Sequence, residues 1–335
     1  MKAIRLEKPG QYAQVQIDEP QKPAAGEALV RVLRVGICGT DVSGFLGKMP
    51  FYSYPRIPGH ELGVEVLETG PGVTNVKPGQ RCAVEPYLNC QECRACRAGR
   101  GNCCESLKVL GVMTDGGLRP RFVLPARKLH AAGDLPPDAL PLVETLGIGY
   151  HAVERGAPQK GEDVLVVGAG PIGLAAMQFA KIRGARLTVL DVNLRRLEFA
   201  KQEMAVDATV VVDGAEKQKL DGAFPVVIDA TGHAGSMGQA FHYVAPTGRL
   251  VFVGITPENV SFPDPLFHRR EMTVFASRNS LPPDFDAIIK LMQEGKINTR
   301  PWVTHRTTFE RYIADFPEAT KPEAGMIKLM VEVTE

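Results

Sequence analysis

The chain has 335 residues, 44% of them hydrophobic and 23% charged, with a formal net charge of +1. That is the makeup of a globular protein long enough for two domains, and it offers neither a basic footprint for nucleic acid or anionic membrane nor an apolar run long enough to span a bilayer. Seven cysteines, five of them between Cys90 and Cys104, follow an N-terminus that alternates polar and apolar residues rather than reading as a secretion signal; clustered cysteines then point to metal rather than disulfides, and to a cytoplasmic setting.

Met1–Leu6 reads as a first strand, and Gly26–Val35 as a second that delivers the chain to Gly36-Ile37-Cys38-Gly39-Thr40-Asp41. Residues 45–58 form a loop holding Phe45, Phe51, Tyr52 and Tyr54, which either wall a pocket or pack the loop onto the core. The loop ends at Pro58-Gly59-His60-Glu61. Cys38 and His60 are the ligand types of a catalytic zinc, which keeps a position open for substrate. Thr40 and Ser43 offer hydroxyls near that metal and are candidates to carry a proton. The strand and turn patterns at 63–72 and 76–84 indicate a β-rich N-terminal domain of barrel type.

The run Cys90-x2-Cys93-x2-Cys96-x7-Cys104 suits a closed four-thiolate zinc site, structural because it leaves no open position. Cys103 is the alternative fourth member, and Arg94, Arg97 and Arg100 are expected to favour the thiolates. Cys82, in a strand pattern, reads as core. After a turn and strand at 111–125, a helix is expected to start near 135–140. Glu144 then stands in an apolar, glycine-punctuated stretch, where a bare carboxylate is costly to bury unless a metal or cation is near.

At Asp163 the pattern changes. Val164–Val167 is a continuous apolar strand running into Gly168-Ala169-Gly170-Pro171-Ile172-Gly173, followed by a helix to Ile182. In this strand–turn–helix context Gly168 permits the tight turn, Gly170 admits a pyrophosphate, and Gly173 lets helix and strand approach. The next strand ends at Asp191, placed to bind the adenosine ribose and to repel a 2′-phosphate, which favours NAD over NADP; Arg195 and Arg196 temper this, being either phosphate contacts or a solvated helix face. Strands at 207–212, 226–232, 249–255 and 271–279 alternate with helices at 193–204 and 236–244, giving a doubly wound parallel sheet. Thr231, Gly254, Ser277 and Arg278 then fall at strand C-terminal ends, where cofactor binds. A helix at 284–294 and a last strand at 328–333 return the chain to the first domain.

Taken in order, the Cys38 and His60 motifs, the four-cysteine lobe, Glu144 and the glycine fingerprint resemble the zinc-containing medium-chain dehydrogenase/reductase family over essentially the whole chain. The resemblance implies an α/β protein: a GroES-like catalytic domain at 1–148 with a structural zinc lobe at 88–106, a Rossmann domain at 149–283, and a return to the catalytic domain at 284–335. It implies Cys38 and His60 as catalytic zinc ligands, Cys104 as the fourth member of the lobe, and Glu61 or Glu144 as third catalytic ligand, the two alternating in some relatives. Glu144 in place of a cysteine, Ser43 in place of a relay histidine, and Ser277-Arg278-Asn279 are similar to the polyol and sugar-acid branch, the L-galactonate 5-dehydrogenase-like group included. The expected activity is NAD-linked, zinc-dependent oxidation of a secondary alcohol on a small polyol, sugar or sugar acid by a homodimer or homotetramer. The alternatives are an L-threonine 3-dehydrogenase, a general secondary-alcohol dehydrogenase, or an NAD-sensing protein without turnover.

Overall fold

The computed structural model describes residues 1–50, 52–212 and 218–333. The chain divides into two compact units, Met1–Glu144 with Leu281–Glu335, and Thr145–Ser280. The first contains β1 (Lys2–Lys8), β2 (Gln11–Gln16), β3 (Glu27–Ile37), α1 (Gly39–Phe45), β4 (Glu61–Thr69), β5 (Arg81–Val84), β6 (Tyr87–Leu88), α2 (Arg94–Arg97), β7 (Lys108–Val109), β8 (Arg121–Pro125), β9 (Leu129–Ala131) and the start of α3 (Leu142–Gly156). The second contains β10 (Asp163–Val167), α4 (Pro171–Ile182), β11 (Arg186–Asp191), α5 (Leu194–Glu203), β12 (Ala208–Val211), β13 (Phe224–Asp229), α6 (Ala234–Tyr243), β14 (Val244–Phe252), α7 (Asp264–Arg269) and β15 (Thr273–Ala276). The chain re-enters the first unit through α8 (Pro282–Gln293), β16 (Val303–Thr308), α9 (Tyr312–Ala319) and β17 (Lys328–Glu332).

The first unit is built on a seven-stranded sheet ordered β16-β17-β3-β4-β5-β9, with β8 also paired to β3. In β3 the apolar residues of an alternating sequence turn inward: Ala28, Val30 and Val32 are buried between partly exposed Leu29 and Arg31. They pack with Leu62, Val64 and Val66 of β4 and Phe122 and Leu124 of β8. The last strand does rejoin this domain: β17 runs antiparallel to β3, with Leu329 opposite Ile37 and Met330 opposite Gly36. Tyr12, Phe45, Tyr312 and Phe316 form an aromatic cluster with neighbouring ring centroids 5.1–5.3 Å apart. Phe45 is thus spent on packing, and Tyr52 packs against α1 at Gly44, where an added Cβ would lie 2.8 Å from its ring. Phe51 lies outside the described residues.

Two polar features tie this unit together. Lys128 and Glu85, both buried, form an ion pair; Glu85 also lies 3.7 Å from His130, whose other ring nitrogen meets Asp286 of α8 at 2.8 Å. The helix expected near 135–140 is instead a 3₁₀ turn at Pro137–Ala139, because Pro141 has no N–H to donate to the Pro137 carbonyl four residues back, and α3 begins only at Leu142. Asp138 in that turn binds Arg34 at 2.8 Å and Arg306 at 2.7 Å. Burial pushes its carboxyl up, but the two arginines outweigh burial and hold it below 3.8. A depressed carboxyl stabilises the fold above the unfolded pKa and loses that contribution as pH falls through the folded one. Asp138→Asn is therefore expected to cost about 1 kcal/mol at neutral pH. In urea titrations the gap from wild type should narrow from about pH 5 toward pH 3; a gap independent of pH would contradict the assignment.

The second unit is a parallel six-stranded sheet ordered β12-β11-β10-β13-β14-β15, strands alternating with helices as in doubly wound dinucleotide-binding folds. Val164–Val167 of β10 are all buried, which explains an apolar run without alternation. The turn into α4 needs glycine twice. Gly168 has φ +97°, and a Cβ on Gly173 would lie 1.8 Å from the Gly168 carbonyl oxygen.

Candidate active site and metal centres

Cys38 is the N-cap of α1, and Asp41 in the first turn accepts its backbone N–H at 2.9 Å. This local loop fixes where β3 ends and aims the thiol. Asp41 is fully buried, and its other oxygen faces His60 Nδ1 at 3.8 Å. Neither atom has a hydrogen-bond partner among the described residues. An imidazole whose Nδ1 turns to a carboxylate presents Nε2 elsewhere, the arrangement by which metal-binding histidines are oriented. Cys38, His60 and Glu61 bring their ligand atoms within 4.8 Å of one another. Burial disfavours the His60 cation, but Asp41 and Cys38 outweigh it, so the ring is held above its ordinary pKa. The pocket therefore favours positive charge at this imidazole. A thiol, an imidazole and a carboxylate gathered there have the chemistry of a zinc set with room for a further ligand.

Glu144 stands in the first turn of α3, buried, and accepts the Tyr87 hydroxyl at 2.5 Å. Burial pushes its carboxyl up, His60 draws it down and Glu61 pushes it up further. It belongs electrostatically to the same pocket but not to the compact donor group. Glu61 has a partner that sequence reading missed: Lys328 Nζ donates to its two carboxylate oxygens at 2.5 and 2.7 Å, and both side chains are only 1% exposed. Thr40 Oγ1 accepts from the Cys38 thiol at 3.7 Å, and Ser43 follows three positions on along α1, on the same helix face.

The second group is Cys90, Cys93, Cys96 and Cys104, all four sulfurs within 4.8 Å. Cys104 rather than Cys103 completes it: Cys104 is buried and accepts the Cys90 N–H, whereas Cys103 is exposed. Cys90 is lowered to about 6, chiefly by the backbone N–H groups of Cys93 and Glu92. The expected role of the arginines is corrected here. Arg97 turns to the Glu92 carbonyl, and the loop's own amides hold the thiolate. Asn89 donates to Cys96 Sγ and accepts from Arg127, tying the lobe to the main sheet. Four mutually close sulfurs with amide donors suit zinc in a closed tetrahedral set. Cys82 is buried in β5, its thiol pushed up to about 12 by burial alone.

In the second unit, Asp191 ends β11 and its carboxylate accepts the Ala169 N–H at 2.6 Å and the Asn193 N–H at 2.7 Å, bracing the glycine turn. Gly170 caps α4 without a side-chain bond, and the nearest atom to a Cβ placed there is Arg196 Nη1 at 3.8 Å. The turn is thus an open cradle with N–H groups and one guanidinium beside it, which fits a pyrophosphate. Thr231 and Gly254 meet at the same strand ends: a Cβ on Gly254 would lie 2.2 Å from Gly232 N, and one on Gly168 would touch the Thr231 methyl at 3.1 Å. Asp229, fully buried, fixes Thr231 through its N–H and hydroxyl. Ser277 and Arg278 follow β15, with Asn279 at φ +52° turning the chain.

Residues 24–134 match the family model of the alcohol dehydrogenase GroES-like domain, and residues 171–294 that of zinc-binding dehydrogenases. The chain is 40% identical over 292 residues to the L-galactonate-5-dehydrogenase of Escherichia coli K12, covering 86% of each protein. The chain belongs to the zinc-binding alcohol dehydrogenase family. It is also similar to the L-threonine 3-dehydrogenase of Pyrococcus horikoshii, at 32% identity over 99% of both chains. Among solved structures it matches that of the alcohol dehydrogenase rspB from E. coli CFT073 complexed with NADH, with TM-score 0.91, 29% identity and 99% coverage of both chains. Family members are oxidoreductases acting on alcohols, and no helix among the described residues is long and apolar enough to cross a membrane.

Proposed function

We propose that the protein oxidises a secondary alcohol of a polyol, sugar or sugar acid to the ketone, with NAD as acceptor. The observation that carries this reading is the Cys38–His60–Glu61 donor group, partly open at Cys38, with Glu144 beside it, in a chain 40% identical to an L-galactonate-5-dehydrogenase. When bound, zinc supplies a Lewis acid for the alcohol oxygen and NAD the hydride acceptor. Cys38, His60 and a carboxylate from Glu61 or Glu144 hold the metal, Asp41 orients His60, and Cys90, Cys93, Cys96 and Cys104 hold a second, structural ion. Thr40 and Ser43, both half-buried on one face of α1, offer hydroxyls to pass the alcohol proton onward. Gly168, Gly170, Pro171, Ile172 and Gly173 cradle the pyrophosphate, with Thr231, Gly254, Ser277 and Arg278 at neighbouring strand ends. Asp191 disfavours a 2′-phosphate, so NAD is preferred, and Arg196 lies against the diphosphate side of the turn. Asp191 alone carries that preference, since similar solved structures hold NADH in one case and NADP in another.

NADH formation with L-galactonate and other aldonates, L-arabinitol, L-threonine and 2-butanol, each with NAD and NADP, tests the reading. The highest kcat/KM is expected for a polyhydroxylated substrate with NAD. Preference for threonine would favour the second reading, which the Pyrococcus similarity supports. Tight NAD binding without turnover on any alcohol would favour a sensor and contradict the enzyme.

The family resemblance implies an oligomer, and β15 supplies a surface for one. It closes one edge of the parallel sheet, pairs only with β14 among the described residues, and shows Thr273 and Val274 to solvent without the lysine or proline that usually guards an edge. We infer pairing with β15 of a second copy. Val274→Lys is expected to shift the sedimentation coefficient toward the monomer; an unchanged value would rule out this edge.

A further inference from the structure

Three buried tyrosines gather around α1. Tyr52, from the loop at 45–58, is only 9% exposed. Its ring lies against the helix face that carries Asp41 and Gly44, the two buried residues of α1. Gly44 makes the room: a Cβ there would lie 2.8–3.1 Å from three atoms of the Tyr52 ring. Gly44 has no positive φ, so the backbone does not require glycine, and inside a helix glycine is unfavourable by about 1 kcal/mol relative to alanine. What the missing side chain provides is a seat for the tyrosine. Tyr12 on β2 and Tyr312 on α9 come from opposite ends of the chain, and Tyr312 donates its hydroxyl proton to Tyr12 Oη at 3.2 Å.

Burial first, and then the Asp41 carboxylate, push the phenols of Tyr12 and Tyr52 up; burial, Tyr12 and Asp41 do the same to Tyr312. All three hydroxyls therefore keep their protons at neutral pH. The Tyr312 proton goes to Tyr12, which leaves two donors, Tyr12 and Tyr52. On the acceptor side, Asp41 Oδ2 takes the Cys38 N–H. Asp41 Oδ1 and Tyr52 Oη are both buried without a partner among the described residues. A buried polar group left bare is costly, and buried waters commonly satisfy such groups with about three hydrogen bonds. Two donors and one carboxylate oxygen are the partners one water needs.

We propose that Tyr12, Tyr52 and Asp41 hold one internal water behind His60, and that Tyr52 is a positioning residue for the metal-binding imidazole. The water accepts the Tyr12 and Tyr52 protons and donates one of its own to Asp41 Oδ1. Asp41 is then held at one oxygen by the Cys38 N–H and at the other by the water, which fixes its carboxylate toward His60 Nδ1, 3.8 Å away. Outer partners of this kind orient a metal-binding histidine, and losing one typically costs about ten- to a hundredfold in metal affinity. This role rests on the reading of Cys38 and His60 as catalytic metal ligands.

Tyr52→Phe removes the hydroxyl and keeps the ring, whereas Gly44→Ala keeps the hydroxyl and displaces the ring. Tyr54→Phe is the control, since that hydroxyl bonds the Gly44 carbonyl instead. The readouts are a crystal structure of the zinc-loaded protein and the Kd of the active-site zinc from chelator competition. The wild type is expected to show an ordered water within hydrogen-bond distance of Asp41 Oδ1 and Tyr52 Oη, and Tyr52→Phe to lack it. Tyr52→Phe and Gly44→Ala should each raise the Kd of the active-site zinc about tenfold, with the four-cysteine zinc of the same sample unmoved. Tyr54→Phe should change neither Kd. If Tyr52 only packs, Tyr52→Phe will bind the active-site zinc as tightly as the wild type does. That result, or a wild type without the water, would overturn the proposal even if Gly44→Ala folds poorly. A wild type that binds only the four-cysteine zinc would instead overturn the metal-site reading itself.

Discussion

Replacing Cys38 with alanine is expected to lower kcat/KM by about a thousandfold or more while leaving the fold intact. The thiol is a partly exposed N-cap whose backbone N–H, not its sulfur, makes the capping bond to Asp41. Its loss therefore removes a metal donor without opening the core. A Lewis acid on the alcohol oxygen contributes several kcal/mol, and each 1.4 kcal/mol is about tenfold in rate. Zinc content should fall from two ions per chain to one, because the four-cysteine lobe is untouched. Activity near wild type, or unchanged zinc content, would remove Cys38 from the catalytic site. Cys82→Ala is the control: a buried strand thiol whose loss is expected to cost about 1 kcal/mol of stability and no zinc.

The second large effect is expected in the lobe. Cys93→Ser should release the other zinc and destabilise the protein by several kcal/mol, read as a lower urea midpoint and faster amide exchange across 88–106. The lobe contains only two short helical turns and one short two-stranded ladder, so little besides the metal orders it. Structural zinc can supply about 10 kcal/mol or more to such segments. Cys103→Ser is expected to leave zinc content and stability unchanged, because that thiol points to solvent while Cys104 completes the group. An equal loss from both substitutions would contradict the assignment of Cys104.

Much of this was legible in the sequence because the chemistry lies in short segments. The Gly168–Gly173 turn, the strand before it and Asp191 after it each carry their own pattern, and the parallel sheet follows from the alternation of strands and helices. The cysteine lobe is likewise a local motif. The parts that sequence reading missed are those made by distant segments. Lys328 looks like one polar residue in a terminal strand, and only the β17–β3 pairing brings it to Glu61. Tyr87 resembles an ordinary strand aromatic until α3 places Glu144 against it. Asp41 was visible in the Cys38 motif, but its place beside His60 depends on β3 and β4 lying side by side. The thiolate-stabilising role expected of the arginines passed to backbone amides because the lobe's turns aim N–H groups inward, a geometry that composition does not encode.

The central claim is that a metal held by this chain and NAD together oxidise a hydroxylated substrate. The most direct measurement follows NADH absorbance with NAD and L-galactonate before chelator, after chelator, and after zinc is added back. The account predicts turnover that is lost when the active-site ion is removed and recovered on adding zinc, with no recovery in Cys38→Ala. NADH formation that continues undiminished in the metal-free protein would contradict it.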